Sequence, residues 1–302
     1  MLLMVGLNFY PTIYLHFQKE IQNVKKLYNV EWALVTGSST GIGKEMAKIL
    51  VAQGVNVVLL SSNEERLEQC KNDLLKINTD VEIKIVALDL TKAFDHVQKT
   101  VAESTKDLPI SLVINNAGYA LSGKFQDLTS ETLSSHINCN VSSHVAITHH
   151  FYKMWTEKKV KGYFVFTASI VGYLPFPNLN EAYSGAKGYL RMFSNTMSAK
   201  SKKDGISCLV MHPGPVHNSR FLNKSGHFND ETPAKFTFSQ TADVVAKHTI
   251  NAIGKFTSVE SGWYATLVKL IKNVSGLNFV SLALKLTPDI FTAPKAISKK
   301  NN

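Results

Sequence analysis

The sequence predicts an α/β protein built on a doubly wound parallel sheet, one domain with hydrophobic extensions at its two ends. Two observations carry that expectation. Short β-type runs alternate with longer runs of helical period from about residue 31 to about residue 212, and alternation of this kind implies a parallel sheet covered on both faces through right-handed crossovers. A glycine-rich turn, Thr36-Gly37-Ser38-Ser39-Thr40-Gly41-Ile42-Gly43, falls between the first strand-like run and the first helical one. That is where a Rossmann-type sheet presents a helix N-terminus to a pyrophosphate.

Taken in order, residues 32–36, 56–61, 82–88, 110–115, 162–168 and 206–212 read as strands, with helical segments near 41–53, 64–77, 91–105, 130–156 and 183–203. Residues 31–262 then form the main domain, preceded by an apolar segment and lead-in helix over 1–30 and followed by an amphipathic region and basic tail over 263–302. Residues 1–18 carry no Asp, Glu, Lys or Arg but are interrupted by Asn8, Pro11 and His16. A spanning helix needs about 20 apolar residues, and no basic stretch precedes the apolar run as it would in a secretory signal. Two readings stay open, contact with a membrane surface and packing on the domain itself or on a partner. Ile21, Val24, Leu27 and Tyr28, with Lys25 and Lys26 between them, predict an amphipathic lead-in helix.

At 302 residues and 44% hydrophobic content, with a mean hydropathy of -0.03, the chain has the composition of a folded protein with a sizeable core. Cys70, Cys139 and Cys208 are odd in number and lack ligand spacing, which predicts buried thiols in a reducing compartment. The net charge of +10 comes from separated clusters around Lys158, Lys200 and the tail from Lys295 to Lys300. No aromatic residues interleave them, so they read as solvated surface rather than a nucleic-acid site. His144, His149, His150, His212 and His217 do not have zinc spacing, and no metal is expected.

The chemistry concentrates on Tyr183 and Lys187, four residues apart and so on one face of a helix. A cation beside a phenol favours its ionised form and makes it a better proton donor at neutral pH. Other residues mark strand ends or their neighbours: Asn115, Asn116, Ala117 and Gly118 after the fourth strand, Asn140 in the following helix, Ser169 after the fifth, Pro213 and Gly214 after the sixth. Together these residues resemble the short-chain dehydrogenase/reductase family over about residues 31–220. The resemblance implies that Ser169, Tyr183 and Lys187 are catalytic and that Asn140 completes a proton relay. An independent chemical account agrees, since hydride addition to a carbonyl leaves an alkoxide that needs hydrogen-bond donors and an acid.

The implied cofactor contacts are Gly37, Ser39, Thr40, Gly41, Ile42, Gly43, Ser61, Ser62, Asp89, Leu90, Asn116, Ala117, Gly118, Tyr183, Lys187, Pro213, Gly214 and Val216. Gly37 and Gly41 allow the tight turn, and Gly43 allows close packing of helix on strand. No acidic residue ends the second strand to accept the 2'-hydroxyl of NAD, which points to NADP(H). The arginine that relatives carry at Ser62 is missing, leaving hydroxyls, amides or Arg66 to meet a 2'-phosphate. Tyr183 stands fourteen positions after Ser169, one more than the family pattern, with the extra residue expected in the loop 175–182. Asn218 replaces a threonine common among relatives.

Substrate selection is expected from residues 216–239, where Phe221, Leu222, Phe228, Phe236 and Phe238 predict an apolar lining with Arg220 as its one arginine. Residues 263–286, broken by Lys269, Lys272 and Gly276, suit an amphipathic element on a membrane or over the pocket, or one packed in the core. The Ser62 region, Leu174-Pro175-Phe176-Pro177, Ser261-Gly262-Trp263-Tyr264 and the lysine-rich tail look like the microsomal branch of 3-oxoacyl-CoA reductases and 17β-hydroxysteroid dehydrogenases. That resemblance implies NADPH-dependent reduction of a hydrophobic ketone, a homodimer, and an endoplasmic reticulum membrane with the catalytic domain facing the cytosol. Lys299 and Lys300 are similar to a dilysine retrieval signal. The alternative is a catalytically silent NADP(H)-binding sensor or scaffold, against which the intact Asn140, Ser169, Tyr183 and Lys187 argue.

Overall fold

The computed structural model describes residues 2–121, 124–174, 181–217 and 239–286. Seven strands form one parallel sheet: β1 (Trp32–Thr36), β2 (Asn56–Ser61), β3 (Ile83–Ala87), β4 (Ile110–Asn115), β5 (Gly162–Thr167), β6 (Ile206–Pro213) and β7 (Ser258–Ser261), in the order β3-β2-β1-β4-β5-β6-β7. Every residue of β1 and of β4 is buried, as expected of central strands covered by helices on both faces. The chain runs outward from β1 to β3, then crosses back to pair β4 with β1. That reversal opens a crevice at the carboxyl ends of the strands, where ligands of such sheets bind.

Helices α1 (Leu2–Phe17), α2 (Val24–Tyr28), α3 (Gly41–Ala52), α4 (Glu64–Leu75), α5 (Phe94–Thr105), α6 (Ser130–Ile137), α7 (Ser143–Lys158), α8 (Glu181–Ser201), α9 (Ala242–Ala252) and α10 (Trp263–Leu286) surround the sheet. One core layer joins Met46 and Leu50 of α3, Leu67 and Leu74 of α4 and Val245 and Ile250 of α9 to Ala33, Val57 and Leu112. The other joins Val97 and Val101 of α5, Phe151 and Trp155 of α7 and Leu190 of α8 to Leu34, Val58 and Val113. Alternate residues of β1 and β2 thus face opposite layers, which follows from the twofold period of a strand. Cys70, Cys139 and Cys208 are free thiols, all buried.

The structure corrects several sequence expectations. The single helix expected over 130–156 is two, because a π-type turn at Asn138–Ser142 separates α6 from α7. The helix expected from 91 starts at Phe94, since Asp89 instead accepts hydrogen bonds from the Thr91 amide and hydroxyl and holds a turn there. The expected lead-in helix shrinks to α2, with Asn23 capping it through the Lys26 amide at 2.9 Å. Ahead of it, Gln22 lies outside any helix and is buried, its amide donating to Asn251 Oδ1 at 2.7 Å and its side chain to the Ile253 carbonyl at 2.9 Å. β7 was not expected at all.

α1 packs on its own domain: Leu15 is buried, Thr12 and Thr266 hydroxyls lie 2.7 Å apart, and Lys255 reaches the Tyr14 hydroxyl at 2.9 Å. Tyr10, Ile13 and Phe17 nevertheless remain exposed. α10 is kinked at Gly276, whose φ of 73° is left-handed. Among the described residues, no helix is long and apolar enough to cross a membrane. The expectations for residues 175–180, for Asn218 through Phe238, and for the tail with Lys295, Lys299 and Lys300 lie outside the described residues.

Candidate active site

The glycine-rich turn occupies the crevice between β1 and α3. Gly37 and Gly41 have φ of 63° and 58°, a region in which a Cβ is strained. At Gly43 a Cβ would run into the Gly37 carbonyl and come within 2.7 Å of Asn116 Nδ2. Thr40 begins α3 without a side-chain capping bond, so the helix presents its first amides to the crevice. A glycine floor under uncapped amides fits the pyrophosphate of a dinucleotide. On the α4 side a cleft of about 470 Å³ is lined by Ser39, Thr40, Lys44, Arg66 and Asp73 among others. Lys44 is paired with Asp73 at 2.7 Å, whereas Arg66 forms no ion pair among the described residues. Ser39 and Ser61 hydroxyls lie 3.2 Å apart, and Ser62 is exposed beside them.

The Asn-Asn-Ala-Gly turn after β4 ties three strands together. Asn116 donates its amide to Thr36 Oγ1 at 2.9 Å and its Nδ2 to the Thr36 carbonyl at 3.1 Å, and its Oδ1 accepts from Thr167 Oγ1 at 3.1 Å. Ala117 donates to the same Thr36 hydroxyl at 3.0 Å. Thr36, named in the sequence only as the start of the glycine-rich turn, and Thr167, not singled out there, are therefore organising residues. Asn115 donates to Thr148 of α7 at 3.0 Å. Gly118 leaves room at the centre, for a Cβ there would lie 2.5 Å from Asn140 Oδ1 and 3.4 Å from Lys187 Nζ.

Ser169, Tyr183, Lys187 and Asn140 converge at this point. Tyr183 and Lys187 are both buried on the inner face of α8, with Nζ 5.7 Å from the ring centre. Lys187 donates to the Thr167 carbonyl at 2.8 Å. The Ser169 side chain, which accepts from the Val171 amide at 3.4 Å, stands close enough to the Tyr183 phenol to favour its ionised form. Burial pushes the phenol above its ordinary range and the neighbouring Ser169 side chain pulls it back, while burial brings the Lys187 ammonium down to about 8. This differs from the expectation that Lys187 depresses Tyr183: burial is the largest influence on the phenol and raises it, with no offsetting pull from Lys187. Asn140, fully buried in the π-type turn, donates Nδ2 to the carbonyls of Tyr119 and His136 at 3.2 and 3.1 Å. Among the described residues its Oδ1 is buried with no hydrogen-bond partner, which fits an acceptor aimed at a bound molecule.

Leu90 is buried and Asp89 turns the chain after β3. Pro213 ends β6, Gly214 donates to the Ser261 carbonyl at 3.3 Å, and Val216 forms a bridge with Gln240. Two of the histidines are buried within the fold: His144 bonds the Ala117 carbonyl at 2.9 Å, and burial holds it and His212 down to about 3.

The short chain dehydrogenase family model matches residues 31–229, and the chain belongs to that family of nicotinamide-dependent oxidoreductases. It is 32% identical over 244 residues to a very-long-chain 3-oxoacyl-CoA reductase of Scheffersomyces stipitis, covering 78% of this chain and 67% of that one. Against 17-beta-hydroxysteroid dehydrogenase type 3 of Rattus norvegicus the identity is 31%, covering 65% and 63% of the two chains. Hydroxysteroid dehydrogenase-like protein 1 of Gallus gallus is 29% identical, with 85% and 76% covered. Among solved structures, a 7beta-hydroxysteroid dehydrogenase superposes with a TM-score of 0.74 at 21% identity, covering 86% of this chain and 99% of that one.

Proposed function

We propose that this chain reduces the carbonyl of a hydrophobic substrate, a long-chain 3-oxoacyl thioester or a steroid-like ketone, with NADPH. The observation that carries the reading is the burial of Tyr183 and Lys187 together on one face of α8, with Nζ 5.7 Å from the phenol ring and Ser169 beside them. In this reading the uncapped start of α3 and the floor of Gly37, Gly41 and Gly43 hold the pyrophosphate, and Lys187 holds the nicotinamide ribose. When bound, the nicotinamide supplies a hydride to the carbonyl carbon. Ser169 and Tyr183 direct hydroxyls at the carbonyl oxygen, and Tyr183 delivers the proton. Asn140 Oδ1, beside Gly118, would hold a water that resupplies Lys187 from solvent, and Lys187 restores the proton that Tyr183 gives up.

The relatives named for 3-oxoacyl-CoA and 17-beta-hydroxysteroids support the substrate class. The acid-free end of β2 and the unpaired guanidinium of Arg66 support the 2'-phosphate of NADPH. Apolar side chains exposed along α1 and α10 support residence on the endoplasmic reticulum membrane surface, and Tyr189 and Met192, exposed on α8, support a homodimer. The test is a panel of 3-oxoacyl thioesters and steroid ketones with purified protein, following NADPH absorbance. Oxidation dependent on one of these classes is expected. NADPH binding with no turnover of any of them would favour the silent sensor instead.

A further inference from the structure

Behind Ser169 lies a buried polar chain that neither hydride transfer nor cofactor binding uses. The short 3-10 turn Ile170–Gly172 follows Ser169 and leads to Tyr173. The Tyr173 hydroxyl donates to Glu260 Oε1 at 2.6 Å, and Lys269 of α10 donates to Glu260 Oε2 at 2.9 Å. Glu260, on β7, is fully buried, and Lys269 is 18% exposed. The Tyr173 ring lies 4.5 Å from the ring of His212, whose Nδ1 approaches the Ser169 carbonyl at 3.4 Å. The Arg191 guanidinium stands 5.0 Å from the centre of the same tyrosine ring.

A buried carboxylate is retained only when it is paired and hydrogen-bonded. Here both oxygens are engaged, one by the segment that carries Ser169 and one by α10. α10 in turn closes the site, since its Ala265 and Val268 pack in one cluster with Ile170, Val171, Tyr173 and Tyr183. The carboxylate therefore joins two walls of the catalytic centre that are distant in sequence, Tyr173 and Glu260 being 87 positions apart.

We propose that Tyr173, Glu260 and Lys269 are positioning residues that hold the Ser169 segment and α10 in register, so that the Ser169 hydroxyl meets Tyr183. The proposal rests on the carbonyl-reductase reading for its effect on turnover, but its structural half does not.

The test uses the full chain with Tyr173→Phe, Glu260→Ala and Glu260→Gln. Hydrogen exchange is read over residues 164–174 and 258–270, and NADPH oxidation is read with 3-oxododecanoyl-CoA. Tyr173→Phe keeps the ring packing and removes one bond. It is expected to raise exchange in 164–174 with the remaining strands unchanged, and to lower kcat roughly tenfold at constant KM, as misplacement of a reacting group does. Glu260→Ala should do the same and also raise exchange in 258–270. Glu260→Gln, which keeps an acceptor for Tyr173, should restore most of what Glu260→Ala loses. The Tyr173→Phe, Glu260→Ala double variant should be no slower than the worse single one. Parent-like exchange at 164–174 in Tyr173→Phe would overturn the proposal, as would uniform loosening of the whole chain with kcat unchanged. If the parent does not turn over the thioester, the substrate reading fails while the exchange result still decides this one.

Discussion

The Lys187 ammonium is anchored to the Thr167 carbonyl at 2.8 Å, at the end of β5 and two residues before Ser169. One strand end thus fixes the lysine and leads directly into the serine. The Thr167 hydroxyl, bonded to Asn116 at 3.1 Å, links both to the turn that lines the cofactor crevice.

Lys187→Ala is expected to abolish reduction and to weaken NADPH binding, because one ammonium serves the proton path and the ribose. The pH dependence has a distinctive sign. Burial lowers Lys187 from its usual 10.5 to about 8, so between those values the unfolded chain binds more protons than the folded one. Stability contributed at this site therefore rises from pH 8 towards 10.5, while activity, which needs the ammonium, falls. Denaturation and turnover measured in parallel from pH 7 to 10 check this. Activity rising alongside stability above pH 8 would contradict it.

Acid should destabilise the fold well before its carboxylates protonate. Burial depresses His136 and His248 to about 4 and His144 and His212 to about 3, from the usual 6.5. Below pH 6.5 the unfolded chain takes up protons that the folded chain refuses, so stability is lost as pH falls, by up to about 1.4 kcal/mol per histidine per unit. Urea denaturation at pH 7, 5.5 and 4.5 should show that loss. A flat profile would mean that these histidines are protonated in the native state.

NADPH should bind more tightly than NADH, and Arg66→Ala should weaken NADPH roughly tenfold while sparing NADH, as expected for one charge-assisted contact to a phosphate. Fluorescence titration of both cofactors decides it. Equal affinities in the parent would refute the preference.

The protein should partition to membranes through the outer faces of α1 and α10, where Phe17 and Val274 are each 74% exposed and Phe279 is 62% exposed. Recovery of the full-length chain wholly in the soluble fraction after lysis would contradict this.

The first six strands in the chain were legible because each is a largely apolar run bounded by turn and helix signals. β7 was not, since Ser258-Val259-Glu260-Ser261 holds one apolar residue and has its polar groups satisfied by tertiary partners. The π-type turn at Asn138–Ser142 was hidden because helical periodicity continues through it. Gly37, Gly43 and Asn116 could be read from a local pattern, and so could the pairing of Tyr183 with Lys187. The Tyr173, Glu260 and Lys269 chain could not, because residues far apart in sequence meet only after the sheet is assembled. The direction in which Tyr183 titrates was also misjudged, for sequence spacing carries the neighbouring charge but not the depth of burial.

The most direct test of the central claim is the rate of NADPH-dependent reduction by Tyr183→Phe on a substrate that the parent reduces. The ring is kept, so NADPH binding should stay nearly unchanged. The proton donor and one donor to the carbonyl oxygen are lost, terms of about 10²- to 10⁴-fold and about 10²- to 10³-fold that overlap in one group. Turnover should fall below detection, and a variant rate within tenfold of the parent would show that another group supplies the proton.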